Sequence, residues 1–104
     1  MQFDQRFNGQ RVEVTKGQRF EISLPENPST GFRWNMSADG APICILTKDE
    51  FLAVNTQPGS SGNHTWTFEA RQVGESEIEL VSLRAWAHQP QPPKIFKIRV
   101  SVRA

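Results

Sequence analysis

Residues 94–102 read as the clearest strand of the chain. Phe96, Ile98, Val100 and Val102 fall on one face, and Lys97, Arg99, Ser101 and Arg103 on the other. A two-residue period describes a strand with one face buried and one in water, and a helix cannot satisfy it. The same period recurs along the chain. Residues 11–15 place Val12 and Val14 together, and residues 19–24 set Phe20, Ile22 and Leu24 against Arg19, Glu21 and Ser23. Phe32, Trp34 and Met36 alternate with Arg33, Asn35 and Ser37, while Trp66, Phe68 and Ala70 oppose Thr65, Thr67 and Glu69. Residues 76–83 add a strand with Ile78 and Leu80 inward. Turn signals separate these runs at Lys16-Gly17-Gln18, Asp39-Gly40 and Val73-Gly74-Glu75. The pattern predicts an all-β chain: an immunoglobulin-like antiparallel β-sandwich of about seven strands, spaced by roughly 8–12 residues, rather than a barrel.

Two segments read less plainly. Residues 1–9 are polar apart from Phe3 and Phe7, which suits an edge strand or a loosely held arm. Residues 43–46 are apolar, and Thr47-Lys48-Asp49-Glu50 behind them fits a helix capping box. No 3.6-residue apolar period follows, so a strand and then a turn is expected over residues 43–54.

A chain of 104 residues is one domain in size, and no repeat, linker or low-complexity stretch divides residues 1–104. The net charge of +1, with both signs interspersed, gives no basic face for nucleic acid. No apolar run approaches a signal peptide or a membrane span. The single cysteine, Cys44, has no partner for an internal disulfide, and its apolar neighbours Ile43, Ile45 and Leu46 predict burial. Two histidines and one cysteine, far apart and without ligand spacing, point to no metal and no cofactor. Trp34 and Trp66 lie in alternating runs and are expected in the core.

Three irregular stretches carry the functional signal. The first is Asn27-Pro28-Ser29-Thr30-Gly31-Phe32, between two strands. Pro28 fixes its own φ and biases Asn27 away from the helical region, while Gly31 allows a positive φ. Ser29 and Thr30 are then left at the tip, free to hydrogen-bond outward. Such a stretch is either an ordinary connecting turn or a preorganised loop presented to a partner. The second stretch, residues 57–63, contains Gly59-Ser60-Ser61-Gly62. The third, residues 84–93, contains Arg84, Trp86, His88 and three prolines. These loops hold hydroxyls and imidazoles, yet no nucleophile elbow is present and no acidic residue is evidently placed beside His64 or His88. Both histidines read as solvated loop residues, and the chain reads as a non-enzyme.

Taken in order, the three stretches resemble the chagasin-like family of cysteine peptidase inhibitors. Residues 27–32 look like that family's Asn-Pro-Thr-Thr-Gly-aromatic loop with Ser29 in place of the first threonine. Gly59-Ser60-Ser61-Gly62 sits where its glycine-rich loop falls, one glycine short. Arg84-Ala85-Trp86 resembles its Arg-Pro-Trp element, with Ala85 replacing proline. The resemblance spans about residues 12–102 and implies three loops gathered at one end of the sandwich, occluding the cleft of a papain-like cysteine peptidase. By that resemblance Ser29 and Thr30 approach the enzyme's nucleophile, shaped by Asn27, Pro28, Gly31 and Phe32. Gly59, Ser60, Ser61 and Gly62 offer backbone to one wall, and Trp86 with Arg84 grips the other. The resemblance also implies a monomer and favours a periplasmic or secreted location. An adhesion or carbohydrate-binding module on the same sandwich is the alternative, and it has no reason to carry the 27–32 motif.

Overall fold

Alternate burial along eight strands builds two facing sheets. The computed structural model describes residues 1–27, 30–53, 61–84 and 94–104. In these, β1 is Gln2–Phe3, β2 Arg11–Thr15, β3 Arg19–Glu26, β4 Phe32–Asp39, β5 Cys44–Ala53, β6 Gly62–Ala70, β7 Gly74–Arg84 and β8 Ile95–Arg103. One sheet runs β1-β3-β6-β5 and the other β2-β8-β7-β4. A 3-10 turn, Gln5–Phe7, lies between β1 and β2 and is capped by the Asp4 carboxylate, which accepts from the Arg6 amide.

The sandwich predicted from the alternation is present, and the purely antiparallel arrangement is not. β1 pairs with β3 in parallel, and β2 pairs with β8 in parallel, so each sheet is mixed. The other four pairings, β3–β6, β5–β6, β4–β7 and β7–β8, are antiparallel. The two parallel pairs both involve the N-terminal segment, which supplies an outer strand to each sheet in turn. Such pairings join residues far apart in the chain and leave no hairpin signature to read.

The N-terminal arm is therefore an edge strand, with Phe3 buried and set edge-on to both Phe7 and Phe20. The ambiguous segment also resolves. Residues 44–53 form one continuous strand, not a strand and a turn, and the register shift between Leu46 and Lys48 marks a bulge. A bulge adds one residue to the edge strand and interrupts its alternation, which is why the sequence looked broken there.

The core lies between the sheets. Phe20, Ile22, Leu24, Trp66 and Phe68 face inward from one sheet, and Ile78, Leu80, Phe96, Ile98, Val100 and Val102 from the other. Each such side chain contributes about 1.5–3 kcal/mol by leaving water. Trp34 and Met36 are half-buried on β4, packed against this cluster at its margin.

Cys44 is fully buried at the start of β5, and desolvation pushes its thiol up to about 11 from an ordinary 9.0. The nucleophilic thiolate is thereby suppressed. At pH 8 an aromatic disulfide reagent should label Cys44 in the folded protein at least about 100-fold more slowly than in urea, the ratio set by two pKa units alone. Equal rates would show that the thiol is accessible.

Candidate functional site

The register sets the strand ends that flank the three irregular stretches at one end of the sandwich. In the first sheet Glu26 pairs with Gly62, and Gly62 pairs with Ala53 on its other side. The last residue of β3, the first of β6 and the last of β5 thus stand in a row. In the second sheet Phe32 pairs with Arg84, and the Ser82 amide donates to the Lys94 carbonyl at 2.9 Å where the chain returns to β8. Residues 27–31 join the two rows. Among the described residues, three of the five exposed large apolar side chains, Leu52, Leu83 and Ile95, lie within two residues of these strand ends.

Gly31 has φ of 84° and is buried, so the positive dihedral expected of it is used. Thr30 departs from expectation. Its hydroxyl donates to the Asn27 carbonyl at 2.8 Å and accepts the Phe32 amide at 3.4 Å, and its amide also donates to Asn27 at 3.1 Å. The hydroxyl therefore braces the loop from within rather than pointing outward. Pro28 and Ser29 lie outside the described residues, as do Gly59, Ser60, Trp86 and His88.

Gly62 is not a loop residue. It opens β6, is buried, and a Cβ built on it would stand 2.2 Å from the Leu52 carbonyl oxygen and 2.8 Å from the Ala53 Cα. Its missing side chain lets the end of β5 close up against the start of β6. Ser61 beside it is exposed, and Arg84 ends β7.

His64 corrects the sequence reading most sharply. It lies within β6 with its side chain 15% exposed, stacked on Trp66 with ring centroids 4.1 Å apart and planes 5° apart. Nδ1 faces the Glu26 carboxylate at 3.0 Å and Nε2 faces Asp49. Both ring nitrogens are thus taken by carboxylates, and neither is available to activate a hydroxyl. The acidic neighbours come from strands far away in sequence. Glu26 is itself buried, with its side chain 2% exposed, and its second oxygen accepts the Trp34 amide at 2.8 Å. The Trp34 indole N–H donates to the Pro25 carbonyl at 3.0 Å. A signal for Glu26 existed: the alternation Phe20, Ile22, Leu24 continues to residue 26 and places it on the core face.

The sequence pattern of the chagasin family of peptidase inhibitors, I42, matches residues 13–100. The chain belongs to that family. It is similar to Amoebiasin-1 of Entamoeba histolytica, 30% identical over 100 residues that cover 92% of this chain and 93% of that protein. Its backbone is similar to the crystal structure of the cysteine protease inhibitor EhICP2 from Entamoeba histolytica, with a TM-score of 0.83 at 22% identity over 98% of this chain and 94% of that one. PbICP-C, solved in complex with falcipain-2, shares the fold at a TM-score of 0.62 and 15% identity, over 99% of this chain and 90% of that chain. The chagasin-family sandwich is thus spanned almost end to end.

Gly62→Ala tests the packing at the base of this end. Forcing a methyl group into the Leu52–Ala53 backbone should destabilise the fold by about 1–3 kcal/mol, read as a lowered urea midpoint at unchanged m-value. An unchanged midpoint would mean that β5 and β6 separate freely there.

Proposed function

We propose that this member of the chagasin family inhibits papain-like cysteine peptidases by seating the loop end of its sandwich in the active-site cleft, as a reversible, non-covalent inhibitor acting as a monomer. The observation that supports the reading is the register: Glu26, Gly62 and Ala53 in one sheet and Phe32 and Arg84 in the other set the strand ends that flank the three stretches at one end. A cleft needs a central wedge and two flanking grips, and three stretches so anchored can supply them. Leu52, Leu83 and Ile95 add exposed apolar surface beside them.

In this reading residues 27–32 form the wedge. Pro28 and Ser29 lead it toward the catalytic cysteine, and Asn27, Thr30, Gly31 and Phe32 hold its shape. The wedge must enter the cleft without being cut. A peptidase cleaves a segment drawn out into an extended strand, and a short loop tied at both ends resists that extension. Thr30 strengthens the tie by bonding Asn27 and Phe32 together. The loop's entropy is then already spent before the encounter, which favours affinity and survival together. Gly59, Ser60 and Ser61 line one wall, and buried Gly62 anchors them at the start of β6. Trp86, with Arg84 beside it, packs against the other as the energetic anchor, because a tryptophan desolvated within an interface is a frequent hot spot.

Titration of papain at fixed concentration should abolish its activity at one equivalent of protein, with a serine peptidase unaffected. Trp86→Ala and Gly31→Val should each weaken inhibition by about 30-fold, the counterpart of roughly 2 kcal/mol, while the far-ultraviolet spectrum stays native. Full inhibition by both folded variants would remove these loops from the mechanism.

A further inference from the structure

A glutamate has little reason to be buried at the end of a strand unless it holds something. The Glu26 side chain is 2% exposed and directly precedes the loop. A carboxylate removed from water is strongly unfavourable unless its oxygens find donors. Here one oxygen takes the Trp34 amide of β4 and the other faces His64 Nδ1 of β6. Among the described residues β4 is the outer strand of the second sheet and pairs with β7 alone, so its remaining amides point away from that ladder. Glu26 therefore reaches across from the first sheet and occupies an open edge position of the second.

The bond spans the loop. Residues 27–31 leave the chain at Glu26 and rejoin it at Phe32, and the pair Glu26–Trp34 closes them into a ring, with the Pro25 carbonyl taking the Trp34 indole N–H as a second tie. The carboxylate is aimed in turn by its neighbours. His64 is held flat on Trp66, with Phe51 edge-on to it, and Asp49 of the outer strand β5 occupies its far nitrogen. A relay thus runs from β5 through β6 and β3 into β4, and its two inner groups, His64 and Glu26, each have a partner on both sides.

We infer that Glu26 is the positioning residue of the 27–32 loop: its carboxylate, oriented by His64 and Asp49, fixes the angle at which the loop leaves the sandwich by holding the Trp34 amide. Its effect on inhibition depends on the function proposed above, whereas its effect on the loop does not. Without the carboxylate the loop samples more exit angles, and only a fraction of molecules presents the competent one.

The test compares Glu26→Ala, Glu26→Gln and Glu26→Asp with Ile22→Val, a core control that shortens a side chain away from the loop. Glutamine can accept the Trp34 amide and donate to His64; aspartate keeps the charge but falls one methylene short. Papain inhibition should weaken about tenfold or more in Glu26→Ala and Glu26→Asp, mainly through slower association. It should hold within about threefold in Glu26→Gln and Ile22→Val, a rescue that a merely destabilising site would not show. In 15N-labelled protein the heteronuclear NOEs of residues 27–32 should fall, and the Trp34 amide resonance should move, in the Ala and Asp variants only. Native NOEs and native inhibition in Glu26→Asp, or a Gln variant as loose as the Asp one, would overturn the assignment. Should Glu26→Ala not fold, the Asp and Gln pair decides alone. Wild-type protein that leaves papain active would contradict the proposed function, and the NOEs would still judge Glu26.

Discussion

Strand register is the constraint on which the loop end depends, and register here is fixed by burial. Slipping β3 against β6 by one residue would turn Phe20, Ile22 and Leu24 out to water and Glu21 and Ser23 inward. A slip of that kind forfeits several side chains' worth of burial at about 1.5–3 kcal/mol each, which is of the order of a whole domain's stability. Because the register cannot move, neither can the strand ends. Glu26, Gly62 and Ala53 are held abreast by packing that occurs well below them, in the stacked rings of Phe20 and Phe68 and the side chains around them. The apolar core thus sets the spacing of a surface it never touches.

At the loop end the chemistry changes from apolar to polar. The last inward position of β3 is a glutamate, and the inward positions of β6 pass from Phe68 and Trp66 to His64 and then to Gly62. A purely hydrophobic end would pack the sheets without fixing how β4 departs from them, since apolar contacts are non-directional. The Glu26–Trp34 bond has a direction, and His64 stacked on Trp66 gives the carboxylate a rigid backstop. Stability and specificity are divided between the two regions. Below, the side chains hold the sheets together; above, a few hydrogen bonds decide the orientation of a short loop.

Much of this was legible in the sequence because a period of two is a physical signature that survives without context. The inward faces of β2, β3, β6, β7 and β8 follow directly from it, and Gly31 was readable because a glycine between hydroxyl residues and an aromatic implies an unusual dihedral. What escaped were the relations between distant strands. The parallel pairings of β1 and β2 leave no turn to mark them, and the bulge in β5 disguised one long strand as two pieces. Gly62 looked like a loop glycine because its neighbours are serine and asparagine, whereas its role is to let a carbonyl approach. His64 looked solvated because its nearest acid in sequence, Glu69, is not its partner; its partners lie 38 and 15 residues away. Thr30 is exposed, but the direction of its hydroxyl depends on the Asn27 carbonyl, which only the folded loop presents.

The proposed function requires the loop end to fill a peptidase's cleft. Binding calorimetry of the protein with papain, once with a free cleft and once with the cleft blocked by a covalent peptidyl inhibitor on the catalytic cysteine, tests it most directly. Tight one-to-one binding to the free enzyme and loss of measurable binding to the blocked one is the predicted result. Equal affinity for both forms would place the contact elsewhere on the enzyme and contradict occlusion.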